Sequence, residues 1–373
     1  MIKTAEGLKI ESLTKPVPGE LHHAHCSGVV AFPDGEIFVV FYWAIQEANR
    51  KQKIFAVRKK PGADWSKPEI IMSHPRMMTG NPAIWIAPDT GRLWLFYVNS
   101  PGGWAACNPR CVYSDDRGKN WSKPKLIYPF ISRGIKNPPI ITKTGRYVLP
   151  AYIEFRDYFS VFYLSDDKGK TWKERGRVKI PDNEVPTTVL KDRKRTWGRL
   201  VLQPTVVERN DGLLWALMRA ARPVGKMYQT ESNDNGETWS DAKPYILPNP
   251  GGGFHMTRLQ SGNLAIIYNH APVPEANHGF ERNPLSVVIS DDDGKTWKWR
   301  RNIMEAMEDN VHQRIGGYPT MMQGADGVIH ATWTFDHPGE LAGQKVGFSD
   351  IYYTAFTESW IKKKAFFAEP WES

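Results

Sequence analysis

Cysteine is scarce in this sequence: three in 373 residues, at positions 26, 107 and 111. An odd count without a paired framework excludes a disulfide-stapled scaffold and points to a reducing compartment. Cys107 and Cys111 lack the second ligand pair that a zinc site needs, so all three read as buried thiols and no metal or cofactor is expected. Long apolar runs are missing too. None approaches the length of a membrane helix, and residues 1–13 hold no apolar signal core. A soluble cytoplasmic protein without a membrane partner is expected. Helical periodicity is nearly absent. Acidic residues are the minority, 40 against 49 Lys and Arg, leaving a net charge of +9. Apart from Lys191-Asp-Arg-Lys-Arg195 the basic residues are dispersed, and no RNA-binding or helix-turn-helix signature accompanies them. The charge therefore reads as a solvated basic surface, and no nucleic-acid partner is expected.

Aromatics and repeats are what the sequence has. Fifteen Trp, fourteen Tyr and sixteen Phe suit a β-rich fold and the stacking of flat rings on sugar faces. One phrase recurs four times, as Ser114-Asp-Asp-Arg-Gly-Lys-Asn-Trp121, Ser165-Asp-Asp-Lys-Gly-Lys-Thr-Trp172, Ser232-Asn-Asp-Asn-Gly-Glu-Thr-Trp239 and Ser290-Asp-Asp-Asp-Gly-Lys-Thr-Trp297. Its Asp can close a turn on the backbone and its Gly can take a positive φ. Its Trp is expected to bolt the turn onto its own sheet. Six Gly-containing hairpin turns interleave with it, ending at Gly35, Gly91, Gly145, Gly212, Gly262 and Gly327, 50 to 67 residues apart. Apolar runs such as Ile37-Phe-Val-Val-Phe-Tyr42 and Leu264-Ala-Ile-Ile-Tyr268 follow most of them, the signature of a β-hairpin. These counts predict an all-β fold: one domain over residues 1–373, a six-bladed β-propeller of four-stranded antiparallel blades. A strand near Leu8 to Leu13 is expected to close the last blade.

In such a fold, the residues entering the inner strands ring the axis. Reading back from each turn glycine gives His25, Asn81, Asn137, Gln203, His255 and Tyr318, all polar and four of them followed by Pro. These side chains suit sugar hydroxyls and mark a pocket. Lys136 stands beside Asn137. Arg219, Asn269, His270 and Arg282 sit one strand further along and can reach the same face.

The recurring phrase resembles the Asp box, or BNR repeat, of the sialidase superfamily. The resemblance covers nearly the whole chain and implies the propeller. Sialidases hold the substrate carboxylate with three arginines, and use a Tyr nucleophile with a helper Glu and an Asp acid/base. On that pattern Tyr318 matches the nucleophile, Arg219 the second arginine and Arg282 the third. Gln203 stands at the helper Glu position and His25 at the first arginine. Gln52 and Lys53 stand where the Asp is expected, with Glu47 the nearest carboxylate. Gln cannot take a proton from Tyr, and a lost guanidinium removes a bidentate clamp. His at the first position, Lys-Asn-Pro and Tyr-Asn-His bring the chain closer to a sialidase-like BNR subgroup. The resemblance implies an exo-acting glycoside hydrolase on an acidic or deoxy sugar, with Tyr318, His25, Gln203 and Glu47 as catalytic candidates. A lyase acting on uronic-acid glycans through His and Tyr is one alternative, and a non-catalytic glycan-binding propeller is another.

Overall fold

The computed structural model describes residues 2–15, 21–155, 157–184, 201–220, 224–271, 282–306, 317–337, 340–341, 344–345 and 348–363. The basic stretch Lys191–Arg195 lies outside them. The six hairpin turns form where the sequence places them, and all six of their glycines have φ between 67° and 87°.

The described strands form antiparallel sheets arranged as an all-β propeller, but not six separate four-stranded blades. Four sheets stand alone. Met78–Ile86, Leu93–Ser100, Asn108–Ser114 and Lys125–Leu126 make a four-stranded sheet, and so do Val201–Glu208, Leu214–Ala220, Lys226–Ser232 and Lys243–Pro248. A five-stranded sheet is built on Tyr147–Phe155, whose inner neighbour is split into Arg133–Ile135 and Ile140–Ile141. Another five-stranded sheet runs from His255–Arg258 to Trp299–Ala306, with Ile2–Thr4 added at its edge. Eight further strands are one continuous sheet, and Glu340–Leu341 pairs with Gln344–Lys345 as a separate two-stranded ribbon. Its joint is physical: Ser349 N–H donates to His22 O at 2.8 Å, and Ser349 pairs in parallel with His23. That contact fuses Gly317–Gln323, Val328–His337 and Phe348–Thr357 with His23–Ala31, Ile37–Ala44, Lys53–Lys59 and Glu69–Met72. Glu11–Ser12 pairs with Phe348–Thr357 in the same sheet.

The second strands of the sheets are covered on both faces. In Ile37–Ala44 every residue is buried. Phe38, Val40 and Tyr42 pack with Leu93, Leu95 and Tyr97 of the following sheet. Ile37, Val39, Phe41 and Trp43 pack on the other side with Ile351 and Tyr353. The two-residue period of a strand divides one apolar run between two cores. Each such aromatic contributes roughly 1.5–3 kcal/mol by leaving water. Gly28 lets the first inner strand approach the second, since a Cβ there would lie 3.0 Å from Ile84 Cγ2.

The recurring phrase is a closed turn. Ser232 Oγ donates to Asp234 Oδ1, and the Asp234 carboxylate accepts from both the backbone and hydroxyl of Thr238. Ser114, Ser165 and Ser290 begin the same network. The tryptophans do not fasten their own sheets, as the sequence reading expects. Trp239 stacks on Phe162 of the preceding sheet, with centroids 3.7 Å apart. Trp172 packs edge-on against Phe96, and Trp297 Nε1 donates to Tyr245 Oη, again one sheet back. The reason is geometric: the turn overhangs its neighbour, where apolar ring faces are available. All three cysteines are buried free thiols. Among the described residues, no helix is long and apolar enough to cross a membrane.

Candidate functional site

Four inner strands carry an extra residue near their start. Pairing shifts between His25 and Gly28, Gly80 and Ala83, Leu202 and Thr205, and Gly317 and Thr320. At each bulge one non-glycine residue takes a left-handed backbone: Cys26 (φ 55°), Asn81 (48°), Gln203 (52°) and Tyr318 (51°). This conformation costs of order 1–3 kcal/mol and persists only where surrounding structure imposes it, which is typical of functional sites. Proline follows three of the four and has no N–H to pair. The connection between Arg133–Ile135 and Ile140–Ile141 holds two of the proline carbonyls: Lys136 Nζ donates to Pro319 O at 2.9 Å, and Asn137 Nδ2 to Pro204 O at 2.9 Å.

These bulges bring Tyr318, Gln203 and Arg219 together. Arg219 Nη1 donates to Tyr318 Oη at 2.5 Å and to Gln203 Oε1 at 3.1 Å. Gln203 Nε2 donates to the same phenol oxygen at 3.4 Å. Two donors therefore converge on Tyr318 Oη, an arrangement suited to stabilising negative charge there. The Arg282 guanidinium lies over the Tyr318 ring at 5.1 Å, and His25 meets the ring edge-to-face with centroids 4.5 Å apart. Two glycines make room. A Cβ on Gly253 would lie 2.9 Å from Tyr318 Cδ1 and 3.1 Å from Gln203 Oε1. A Cβ on Gly317 would lie 3.0 Å from Arg282 Nη1 and 3.7 Å from His25 Cε1.

The other predicted residues divide into supports and outliers. Asn81 Nδ2 donates to Tyr152 Oη at 3.2 Å, and Asn269 Nδ2 to Arg282 O at 2.7 Å, so each positions a neighbour. Lys136 and Asn137 are buried and tie backbones. Burial pushes the Lys136 ammonium down to about 8, with the Cys26 thiol working the other way. His255 lies deeper, accepting from Met321 N–H at 3.4 Å. Burial first, and then Lys136, push its imidazole down to about 3. His270 is held between Tyr268 Oη and Arg300 Nη1, and burial with the Arg300 charge lowers it to about 4. Neither imidazole is poised to take up a proton at neutral pH. Glu47 is exposed and accepts from Trp104 Nε1 at 3.1 Å. Its charge reaches His23 and Tyr42 beside His25. A cavity of about 610 Å³ opens at the opposite, hairpin end of the inner strands, and His255 alone of the predicted ring lies on its wall.

Sequence reasoning misses Tyr42, Tyr152 and Glu154. Tyr42 and Tyr152 stand at the same step from their turn glycines as Arg219 and Asn269, so the register that finds the arginine reaches them too. Tyr152 lies across Gly134, where a Cβ would fall 2.2 Å from its Cζ. Glu154 follows on the same strand face, and burial raises its carboxyl to about 6 against the pull of Arg219 and Tyr158. Among the described residues, no three His, Cys, Asp or Glu side chains are grouped to hold a metal ion.

Comparison with solved structures recovers this architecture. A protein of unknown function from Dyadobacter fermentans matches with a TM-score of 0.69 at 18% identity, over 94% of this chain and 99% of its own. The intramolecular trans-sialidase of Ruminococcus gnavus, solved with oseltamivir carboxylate, matches at 0.68 and 14% identity, over 92% and 96% respectively. Trypanosoma rangeli sialidase, solved with sialic acid, matches at 0.67 and 16% identity, over 94% of this chain and 59% of its own. At such identities the likeness carries the fold alone. In sequence, a sialidase from Paraclostridium sordellii is 29% identical over 271 residues, 62% of this chain. The chain spans 60% of that relative's length. The BNR repeat-like domain family matches residues 35–331, and the protein belongs to that family, within the sialidase-like BNR propellers.

Proposed function

We propose that this protein is an exo-acting glycoside hydrolase of the sialidase-like class, acting on an acidic or deoxy sugar. The observation that carries the reading is the convergence of Arg219 and Gln203 on Tyr318 Oη. Tyr318 is the group that attacks or stabilises the anomeric carbon, with negative charge on its oxygen met by two donors already in place. Arg282, over the same ring, supplies a second guanidinium near the reacting centre. The two arginines suit a substrate carboxylate. Gln203 orients the phenol but cannot take its proton, which separates this site from one with a carboxylate at that position. His25 on the ring edge and Glu47 at the mouth serve as the acid/base candidates. The sialidase names of the relatives support hydrolysis of an acidic sugar.

The test is a panel of acidic and neutral oligosaccharides, with reducing ends and the ultraviolet absorbance of unsaturated products followed together. New reducing ends without absorbance are expected. A rise in absorbance would move the assignment to β-elimination by His25 and Tyr318, and binding without either signal would leave a glycan-binding propeller.

A further inference from the structure

Three strands of the fused sheet put Asp336, Ser349 and His23 abreast. Ser349 pairs across the antiparallel ladder with Asp336 and, on its other side, in parallel with His23. The side chains continue the row. Ser349 Oγ donates to Asp336 Oδ1 at 2.6 Å and lies 3.1 Å from His23 Nδ1. A serine hydroxyl has one proton, and a carboxylate has none to give. With the Ser349 proton committed to Asp336, the hydroxyl accepts from His23, so Nδ1 carries the imidazole proton. His23 Nε2 is buried with no hydrogen-bond partner among the described residues. The opposite tautomer would strand a buried N–H there and set two lone pairs against each other at Ser349, the more costly arrangement. Burial pushes the imidazole below its ordinary range, against the charges of Glu47 and Asp336, so the ring is neutral at neutral pH.

This order differs from a Ser-His-carboxylate triad, in which the imidazole is the middle member and takes the serine proton. Here the serine is in the middle. It is a spacer between carboxylate and ring, and its own proton is not available for a nucleophile's role.

The ring fixed in this way stands behind the candidate site. His25 follows two residues later on the same strand face, and the two imidazoles stack with centroids 5.6 Å apart and planes 27° apart. Tyr42, the cross-strand partner of His25, closes the other side, meeting His25 edge-on at 5.6 Å and His23 at 6.0 Å. His25 in turn meets the Tyr318 ring at 4.5 Å. Contact by contact, one row runs from Asp336 to Tyr318.

We propose that Asp336 and Ser349 are positioning residues for the candidate site: they lock His23 with its proton on Nδ1, and the locked ring holds His25, an acid/base candidate, against Tyr318. The consequence for turnover rests on the hydrolase reading, so the experiment has one arm that does not. In that arm, long-range proton–nitrogen spectra of isotope-labelled protein at neutral pH report which nitrogen of each histidine carries the proton, and His23→Gln assigns the His23 signals by their loss. The wild type is expected to carry the His23 proton on Nδ1. Ser349→Ala keeps the joint of the sheet, because Ser349 makes it with its backbone N–H. It is expected to move most of the His23 population to Nε2–H and to weaken the nuclear Overhauser contact between the His25 and Tyr318 rings. Asp336→Ala, which frees the Ser349 proton for His23, is expected to do the same, and Ser349→Thr, which keeps the hydroxyl, to match the wild type. A wild-type His23 protonated on Nε2, or a tautomer and ring contact indifferent to Ser349→Ala, overturns the proposal.

In the second arm, initial rates are measured on an oligosaccharide that the wild type cleaves. Ser349→Ala is expected to lose roughly tenfold of kcat with KM changed less, and Ser349→Thr to recover most of it. Wild-type kcat in Ser349→Ala overturns the positioning role. Should the wild type cleave nothing, the hydrolase reading fails, and the spectra still decide whether His23 is locked and holds His25.

Discussion

Arg219 and Tyr318 lie 99 residues apart in the chain, on strands of different sheets, and share a 2.5 Å hydrogen bond. It is the shortest hydrogen bond among Tyr318, Gln203 and Arg219, and removing either partner should separate binding from chemistry.

Tyr318→Phe removes the oxygen and leaves the ring, with its His25 and Arg282 contacts, in place. Turnover of an acidic oligosaccharide is expected to fall by about two orders of magnitude or more, with the melting temperature little changed. Initial-rate kinetics alongside thermal denaturation checks this, and near-wild-type turnover would remove Tyr318 from the chemistry.

Arg219→Ala should weaken carboxylated substrates selectively, with kcat/KM falling by roughly a hundredfold for them and far less for neutral analogues. The comparison needs paired substrates differing only in the carboxylate. Equal losses on both would make Arg219 a support for Tyr318 and not a carboxylate ligand.

Gly253→Ala places a Cβ 2.9 Å from the Tyr318 ring and 3.1 Å from Gln203 Oε1. The backbone there needs no left-handed φ, so the fold should tolerate the change while the phenol is displaced. A kcat loss of about tenfold to a hundredfold is expected at nearly constant stability. A large drop in melting temperature with unchanged kcat in the folded fraction would contradict it.

The recurring turns should govern stability and leave catalysis alone. Trp239→Ala removes the ring stacked on Phe162 and is expected to cost about 2–3 kcal/mol, measured by chemical denaturation, with kcat unchanged at low temperature. The turn carboxylates also set an acid limb. Asp116 is held well below its ordinary 3.8, first by the Asn120 N–H and then by the Ser114 and Asn120 side chains. A carboxyl lowered by folding adds stability above its unfolded value and loses it as the pH falls through the folded one. Stability from this turn is therefore complete at neutral pH and declines below about pH 4. Asp116→Asn should flatten that decline in an acid denaturation series.

The turns and apolar runs were legible because each is a local matter. A glycine with positive φ or an Asp two residues from a serine announces itself within eight residues. Tyr318, Gln203 and Arg219 were legible as members of a ring, since the turn glycines give a common register. The left-handed bulges at Gln203 and Tyr318 were not, because a bulge is defined by the facing strand. Glu154 escaped for a related reason: its raised carboxyl comes first from burial that only the assembled sheets supply, and nothing adjacent to it in the chain shows that burial. The six separate blades failed at one hydrogen bond, Ser349 to His22, which joins residues from opposite ends of the sequence. The tryptophans were assigned to the wrong sheet because sequence proximity does not show which neighbour a turn overhangs.

That Ser349–His22 bond is a seam, and its position has a consequence for synthesis. His25 stands three residues beyond the seam on one side, and Tyr318 belongs to the inner strand of the sheet portion on the other. The two rings meet only when the His23–Ala31 strand is stitched to the Phe348–Thr357 strand. A nascent chain still on the ribosome can close its Asp-box turns one after another, yet it carries no assembled site until the Phe348–Thr357 strand docks. Closure of the seam is thereby a precondition for the candidate site, and a chain truncated before residue 348 should keep several well-packed sheets while losing the contact between the His25 and Tyr318 rings.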